Sequence, residues 1–219
     1  LPAHYTPEVE IFRGYWLISW FKKEFAQKEV TEAINLKVQP EEILNKKLKE
    51  IPAGCDGLVL QPYFTPNLTM PEAKGAVIGL SDVHTRIHLY RAIIEGINFA
   101  LMDGMRHMEK RGGFRFEEIR VGGGGAQSSE ICQITADMFG LPVVRTQTYE
   151  VSGIGSAIPA FVSLGVFGSY KEALRHMVYK KDVFQPNKKQ NAVYRKLYED
   201  VYKQIYPRLS EIYMRMSEI

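Results

Sequence analysis

The segment that most constrains this chain is Glu118–Val121, a short β-pattern run that passes directly into Gly122-Gly123-Gly124-Gly125 and then a helix start near Ser128. A strand whose C-terminal end opens through glycines onto a helix N-terminus is a unit of an open α/β sheet, and such crevices hold nucleotides. Glycine lets a backbone take φ > 0 and approach a ligand closely. Ser128 is a good N-cap type, and Glu130 suits the positive end of the helix that follows. That helix carries Ile131, Ile134 and Met138 and stops at Gly140, with Pro142 beyond it. On pattern alone the run reads equally as a tight turn packing helix on strand or as a ligand cradle. Two sharper motifs are excluded. No Lys follows the glycines as a Walker A loop requires. The dinucleotide spacing fails because Gln127, Ser128 and, in the second candidate, Ile158 stand where its last glycine belongs.

Elsewhere the spacing predicts helices over Ile11–Ala26 (apolar face Tyr15, Ile18, Phe21, Phe25) and Pro40–Glu50, which has Pro at a first helical position. Short strands are predicted at Gly57–Tyr63 and Ala76–Leu80, with a turn-rich stretch, Thr65–Pro71, between them. Thr85–Lys110 is the strongest helix: Tyr90, Ile94, Ile97, Leu101, Met105 and Met108 keep a period near 3.6, and Gly112-Gly113 ends it. Val143–Thr146 reads as a strand, Gly155–Leu164 and Tyr170–Tyr179 as helices. Asn187–Ile219 is an amphipathic helix with the stripe Tyr194, Tyr198, Val201, Ile205, Leu209, Ile212, Met216 and a kink expected at Pro207. Without repeats or a low-complexity linker, residues 1–219 read as one α/β domain with a central sheet flanked by helices.

A net charge of +3 gives no electrostatic footprint for nucleic acid, and no apolar run reaches the roughly 20 residues that span a bilayer. Cys55 and Cys132, far apart among apolar neighbours, read as reduced, packed thiols of a cytoplasmic protein. His84 and His88 share a helix face but lack a third ligand at telling spacing. Glu95 reads as a structural partner of Arg91 one turn earlier. Asp82 and Asp137 would touch a cation only from a cleft, and Asp137 reads as structural. The pairs Lys180-Lys181 and Lys188-Lys189 read as solvated surface, and the tyrosine-rich tail as core.

Gly123-Gly124-Gly125-Ala126-Gln127-Ser128, followed by Gln133, Ala136-Asp137 and Gly140-Leu141-Pro142-Val143, resembles the adenosine motif of the FGGY carbohydrate kinases. Downstream, Glu150 with Gly155-Ser156-Ala157 is similar to that family's Glu…Gly-Ala-Ala segment. Upstream, Arg91-Ala92-Ile93-Ile94-Glu95-Gly96, Pro62-Tyr63-Phe64 and Lys74-Gly75-Ala76-Val77-Ile78-Gly79-Leu80 match its Arg-Ala-x-x-Glu-Gly, Pro-Tyr and Arg-Gly-x-x-x-Gly-Leu stretches. Four places depart from the pattern. Gln127 replaces a Lys, Pro66-Asn67-Leu68 stands where Gly-Glu-Arg is usual, Tyr15 stands near Trp20 where the family often has Gly, and Pro159 interrupts a helix.

The resemblance implies an actin-like (ribonuclease H-like) ATPase lobe, the C-terminal half of a two-lobed kinase acting on a sugar or polyol. It implies ATP as the phosphoryl donor, with Mg²⁺ whose ligands cannot be named in this chain. It also implies that Gly123, Gly124 and Gly125 line the adenosine pocket, with Ala126 and Ser128 beside it. The family's Asp base, its first phosphate motif and most sugar contacts belong to the N-terminal lobe. Because the chain opens on Leu1 and Leu1–Glu10 reads as mid-loop, it is expected to be a truncated or processed piece, inactive alone. Apolar surface normally covered by the other lobe gives such a piece a route to self-association. The alternative is a non-catalytic actin-like module that senses nucleotide or binds partners.

Overall fold

The computed structural model describes residues 6–65 and 69–219; the first half of the Leu1–Glu10 loop and all of Pro66-Asn67-Leu68 lie outside the described residues. Within the span read as one lobe, the chain forms two compact units, Leu1–Arg115 with Lys188–Ile219, and Phe116–Asn187.

The first unit opens with α1 (Trp16–Phe25). It starts later than the spacing predicts, because Arg13 sits at φ 59° and Gly14 N donates to Ile11 O (3.0 Å), closing a turn. Its packed face is Leu17, Ile18 and Phe21, while Tyr15 and Phe25 are exposed. A helix that the pattern did not mark, α2 (Gln27–Leu36), follows at once. Its sequence is mostly polar, and it is held by burial of Ala33 and of Glu29, which takes Lys47 (2.6 Å) and both guanidinium nitrogens of Arg86. Next comes α3 (Pro40–Lys47), its start closed by Gln39 N donating to Glu42 Oε1 at 3.1 Å. Strands β1 (Val59–Gln61) and β2 (Ala76–Ile78) pair antiparallel, Leu60 opposite Val77.

Helix α4 (Arg86–Gly112) has Thr85 at its N-cap and ends on Gly113 in the left-handed conformation. Tyr90 through Ala100 are all buried, so the predicted single stripe is replaced by burial around the full circumference of that stretch. Polar members of the stretch therefore need partners. A carbon at the Gly96 Cβ position would lie 2.3 Å from Leu60 O, so glycine lets α4 press directly on β1.

The second unit holds β3 (Ile119–Val121), α5 (Ser129–Phe139), β4 (Val143–Thr146), α6 (Val151–Ser163), α7 (Tyr170–Met177) and β5 (Lys180–Phe184). The strand order is β3-β4-β5, with β3 parallel to β4 and β5 antiparallel to it. Cys132, Ala136 and Val143 form the core, with Ile119, Val121 and Phe184 packed against it. Strand β5 was hidden by its charges, for Lys180-Lys181-Asp182 reads as surface; Lys180 and Lys181 are indeed exposed, and Lys180 pairs with Glu118 at 2.8 Å. Helix α6 starts at Val151 rather than Gly155, and Pro159 lies inside it. Strands are thus shared between two small sheets, one in each unit, under the α/β class expected.

The tail returns to the first unit as α8 (Lys188–Leu197), a π turn (Tyr198–Tyr202) and α9 (Lys203–Met216), with Pro207 inside α9. The wide turn advances the buried face by a residue. Tyr202 and Tyr213 are buried where the 3.6 period predicts Val201 and Ile212, which are exposed along with Met216. Tyr194, Tyr198 and Ile205 are core as expected, and Phe99 stacks on Tyr198 and Tyr202.

The buried charges of α4 close here. Arg91 donates to Glu95 Oε1 (2.7 Å), to the carbonyls of Leu48 and Ile51 (2.7 Å each) and to Tyr194 Oη (2.8 Å). Tyr194 Oη donates to Glu95 Oε1 (2.7 Å), which also accepts from Gly54 N at 3.3 Å. Burial first, and the Glu95 charge second, push the Tyr194 hydroxyl well up, so it stays protonated.

Candidate functional site

At the end of β3 the four glycines have different physical reasons for being there. A Cβ on Gly122 would strike the Val151 side chain at 2.4 Å. Gly123 takes φ +77°, a region that side chains disfavour, and its N–H donates to Tyr149 O at 2.8 Å. Gly124 has neither constraint: its φ is not in the left-handed range, and a Cβ there meets nothing within 4 Å. From Gly124 to Gln127 the chain makes one 3₁₀ turn, which the sequence did not announce. Gly124 is exposed, Gly123 and Gly125 are half-buried, and Ala126 and Ser128 are buried. Ser128 Oγ accepts from Ile131 N (3.2 Å) and lies 3.1 Å from Glu130 Oε2, so it is used in capping α5.

Arg145, near the C-terminal end of β4, anchors the loop from beneath. Its Nη1 donates to Ala126 O (3.1 Å) and Gln127 O (3.0 Å), and its Nη2 to Ser129 Oγ (3.3 Å). Asp182, opposite Arg145 in the β4–β5 register, holds the guanidinium through Nε (2.8 Å) and Nη2 (2.6 Å). Phe184 lies under the guanidinium plane at 5.3 Å. Sequence reasoning missed this fork, since a lone Arg at a strand end carries no signal until β5 is known to bring Asp182 across from it.

Arg145 forms part of the wall of an open recess of about 360 Å³, lined also by Ala126, Gln127, Thr146, Gln147, Thr148, Tyr149 and Lys181. It sits outside the carboxyl ends of the parallel strands β3 and β4, where open α/β sheets take ligands. Thr146 Oγ1 donates to Thr148 O (2.9 Å), and Thr148 Oγ1 accepts from Glu150 N (3.1 Å), which fixes the far wall. Cys132 lies below the loop with its thiol pushed up to about 11 by burial, so it is a packing residue rather than a nucleophile.

The remaining candidates have structural duties. Asp137 is buried and accepts from Gln133 Nε2 and Asn187 N, both at 2.8 Å. Glu95 pairs with Arg91 as expected. His84 takes Ser81 N on Nδ1 (2.9 Å) and meets Cys55 O at Nε2 (3.1 Å). His88 takes Thr85 N on Nδ1 (3.1 Å) and meets Asp56 Oδ2 at Nε2 (3.2 Å). Those contacts fix each imidazole and occupy both nitrogens. Asp82 is exposed. Among the described residues no three His, Cys, Asp or Glu side chains gather as a metal site requires.

With a glycine-lined strand end, a capped helix and an open crevice in place, the chain's kinship can be stated. The chain belongs to the FGGY family of carbohydrate kinases: the model of that family's C-terminal domain matches residues 3–164. It is 32% identical over 221 residues to the xylulose kinase of Lactococcus lactis subsp. lactis (strain IL1403), covering 99% of this chain and 42% of that protein. The crystal structure of xylulose kinase from Rhodospirillum rubrum superposes with a TM-score of 0.75 at 27% identity, over 91% of this chain and 39% of that one. Ligand-bound xylulose kinase from Lactobacillus acidophilus shares the fold with a TM-score of 0.77 at 24% identity. The chain thus spans 42% of the length of that L. lactis relative, and the fold is the actin-like α/β fold of these kinases.

Proposed function

We propose that this chain is the ATP-binding lobe of a sugar or polyol kinase, with the adenosine of ATP lying against Gly123–Ala126. Gly124 carries the proposal. Its φ is not left-handed and, among the described residues, nothing stands within 4 Å of a Cβ there, so at this strand end the bare backbone is open to a partner from outside the chain. The electrostatics favour the nucleoside over the phosphates at this loop. Ser128 already caps α5 and Glu130 stands in its first turn, which makes that helix end unwelcoming to a phosphate. A flat base and ribose against bare backbone suit the cradle better.

In this reading ATP supplies the phosphoryl group, and the residues of this chain bind and orient the nucleoside. The recess lining contains no carboxylate, and the one beside it, Asp182, is committed to Arg145. The general base and the sugar contacts are therefore assigned to the part of the kinase that this chain does not match, and residues 1–219 alone should not turn over. No Mg²⁺ ligand is assigned here. Buried, unpaired Cys55 and Cys132 suit a reducing cytoplasm, and no helix among the described residues is long and apolar enough to cross a membrane.

The test is calorimetric titration with ADP, ATP and GTP, beside a Gly124→Val variant. Saturable adenine-nucleotide binding that the variant abolishes without loss of helical content supports the reading. Equal binding by the variant refutes it, and sugar-dependent ADP release by residues 1–219 alone refutes the division of labour.

A further inference from the structure

We infer that Arg145, held by Asp182, is the positioning residue that sets the shape of the adenosine loop, an inference resting on the reading of that loop just given. Only Ala126 of the loop is buried: Gly124 meets nothing at its Cβ position, and Gly123 is in a conformation open chiefly to glycine. A four-glycine segment is also the one that loses most entropy when ordered. Its inward-facing carbonyls need fixed donors, and one guanidinium provides them. Nη1 bridges Ala126 O and Gln127 O while Nη2 reaches Ser129 Oγ, so the 3₁₀ turn and the first residue of α5 are tied to one planar group.

Asp182 takes Nε and Nη2 and sets the plane of the fork, and Phe184 supports it from below. Geometry of this kind is specific to Arg. A Lys ammonium, three donors on a point, cannot bridge two carbonyls and still meet the carboxylate in that plane. With Gly123 N bonded to Tyr149 O and the following carbonyls to Arg145, the loop is held at both ends while Gly124 stays exposed. Arg145 lines the recess, but its Nε, Nη1 and Nη2 are taken up by Asp182, the loop carbonyls and Ser129 Oγ, so it acts through the loop.

Arg145→Lys and Asp182→Asn, compared with Gly124→Val, test this by titration with adenosine and with ADP. Losing two charge-assisted hydrogen bonds to the loop should weaken both ligands by the same factor, about 10-fold or more for Arg145→Lys and less for Asp182→Asn. Amide exchange should quicken at residues 124–128 while β3 and the body of α5 keep their rates, a localisation that a general loss of stability would not give. Affinities within two-fold of the parent, with Gly124→Val still unable to bind, overturn the inference about Arg145 alone. Binding by Gly124→Val overturns the loop reading, and this inference with it. Should Arg145→Lys fail to fold, Arg145→Gln, which also removes the fork to Ala126 O and Gln127 O, decides on the same criteria.

Discussion

Gly96→Ala puts the packing of α4 on β1 to a quantitative test. The added Cβ would stand 2.3 Å from Leu60 O and 3.1 Å from Leu60 C, where real Cβ atoms essentially never come closer than 3.0 Å. The obstacle is backbone, held in place by the pairing of Leu60 with Val77, so it cannot swing aside as a side chain would. Two effects of opposite sign compete. Exchanging Gly for Ala inside a helix stabilises by roughly 0.5–1 kcal/mol through the unfolded chain. Forcing a methyl into a filled interface costs about 1–3 kcal/mol, and a rigid obstacle places this case in the upper half of that range. The net expectation is a loss of about 1–2 kcal/mol. Gly153→Ala, in α6, is the same chemical change with nothing within 4 Å of the new carbon, and it should stabilise by up to about 1 kcal/mol. Urea unfolding reads both. Trp16 and Trp20 lie in α1, in the same unit as Gly96, so their fluorescence follows that unit, while amide exchange of residues 151–163 follows α6. A Gly96→Ala midpoint at or above that of the parent would refute the close approach, and equal shifts for both variants would refute the reasoning from local space.

Tyr194→Phe should destabilise the first unit by about 1–3 kcal/mol, because Glu95 and Arg91 then each lose a buried partner; a change under 0.5 kcal/mol in urea midpoints would count against the network. Glu29→Gln tests an acid limit. Burial opposes the Glu29 charge, but hydrogen bonds from Arg86 and Lys47 outweigh it and hold the carboxyl at about 2, against 4.5 for the free group. A depressed folded value means stability that is complete above 4.5 and is lost as pH falls through 2. The parent should therefore exceed the variant by on the order of 2–3 kcal/mol at pH 7, with the gap closing toward pH 2. A gap independent of pH would show that folding leaves the Glu29 carboxyl unshifted, and would refute its stabilisation by Arg86 and Lys47.

Elements with strong punctuation were legible in the sequence. Gly113 and Gly140 end α4 and α5 in left-handed caps, Pro40 opens α3, and Ser128 caps α5, all at or within a residue of where the pattern put them. What failed was whatever depends on tertiary partners. Helix α2 is polar along most of its length and is secured by Glu29 meeting Arg86 from a distant helix, a contact no local window contains. Strand β5 carries Lys180, Lys181 and Asp182, whose charges mask an edge strand that exists because β4 offers it a register. The π turn at Tyr198–Tyr202 broke the helical period, so the stripe was right at Tyr194, Tyr198 and Ile205 but fell a residue short at Tyr202 and Tyr213. The glycine loop was visible as a loop, but its anchor was not: Arg145 gains meaning only when β5 sets Asp182 opposite it.

The residues that carry the family resemblance can be sorted by asking what within the chain would object to replacing each. Gly96 is required by Leu60 O, Gly122 by Val151, and Gly123 by its own φ. Arg91 and Glu95 are required by each other and by Tyr194. Ser128 is required by the Ile131 amide, and Asp137 by Gln133 and Asn187. Each has a sufficient internal cause, so none of them needs a ligand to explain it. Gly124 is different, and so is Gly155 in α6: a Cβ at either meets nothing within 4 Å, but only Gly124 lies in the loop at the end of β3. A side-chain-free position with open space around it, at the carboxyl end of a parallel strand and beside a half-buried guanidinium that ties down the loop, is what a loop shaped for an external flat partner should look like. That is why the mutational test belongs at Gly124: a Cβ there meets nothing within 4 Å, so a Val that keeps the helical content yet abolishes binding points to a partner outside the chain.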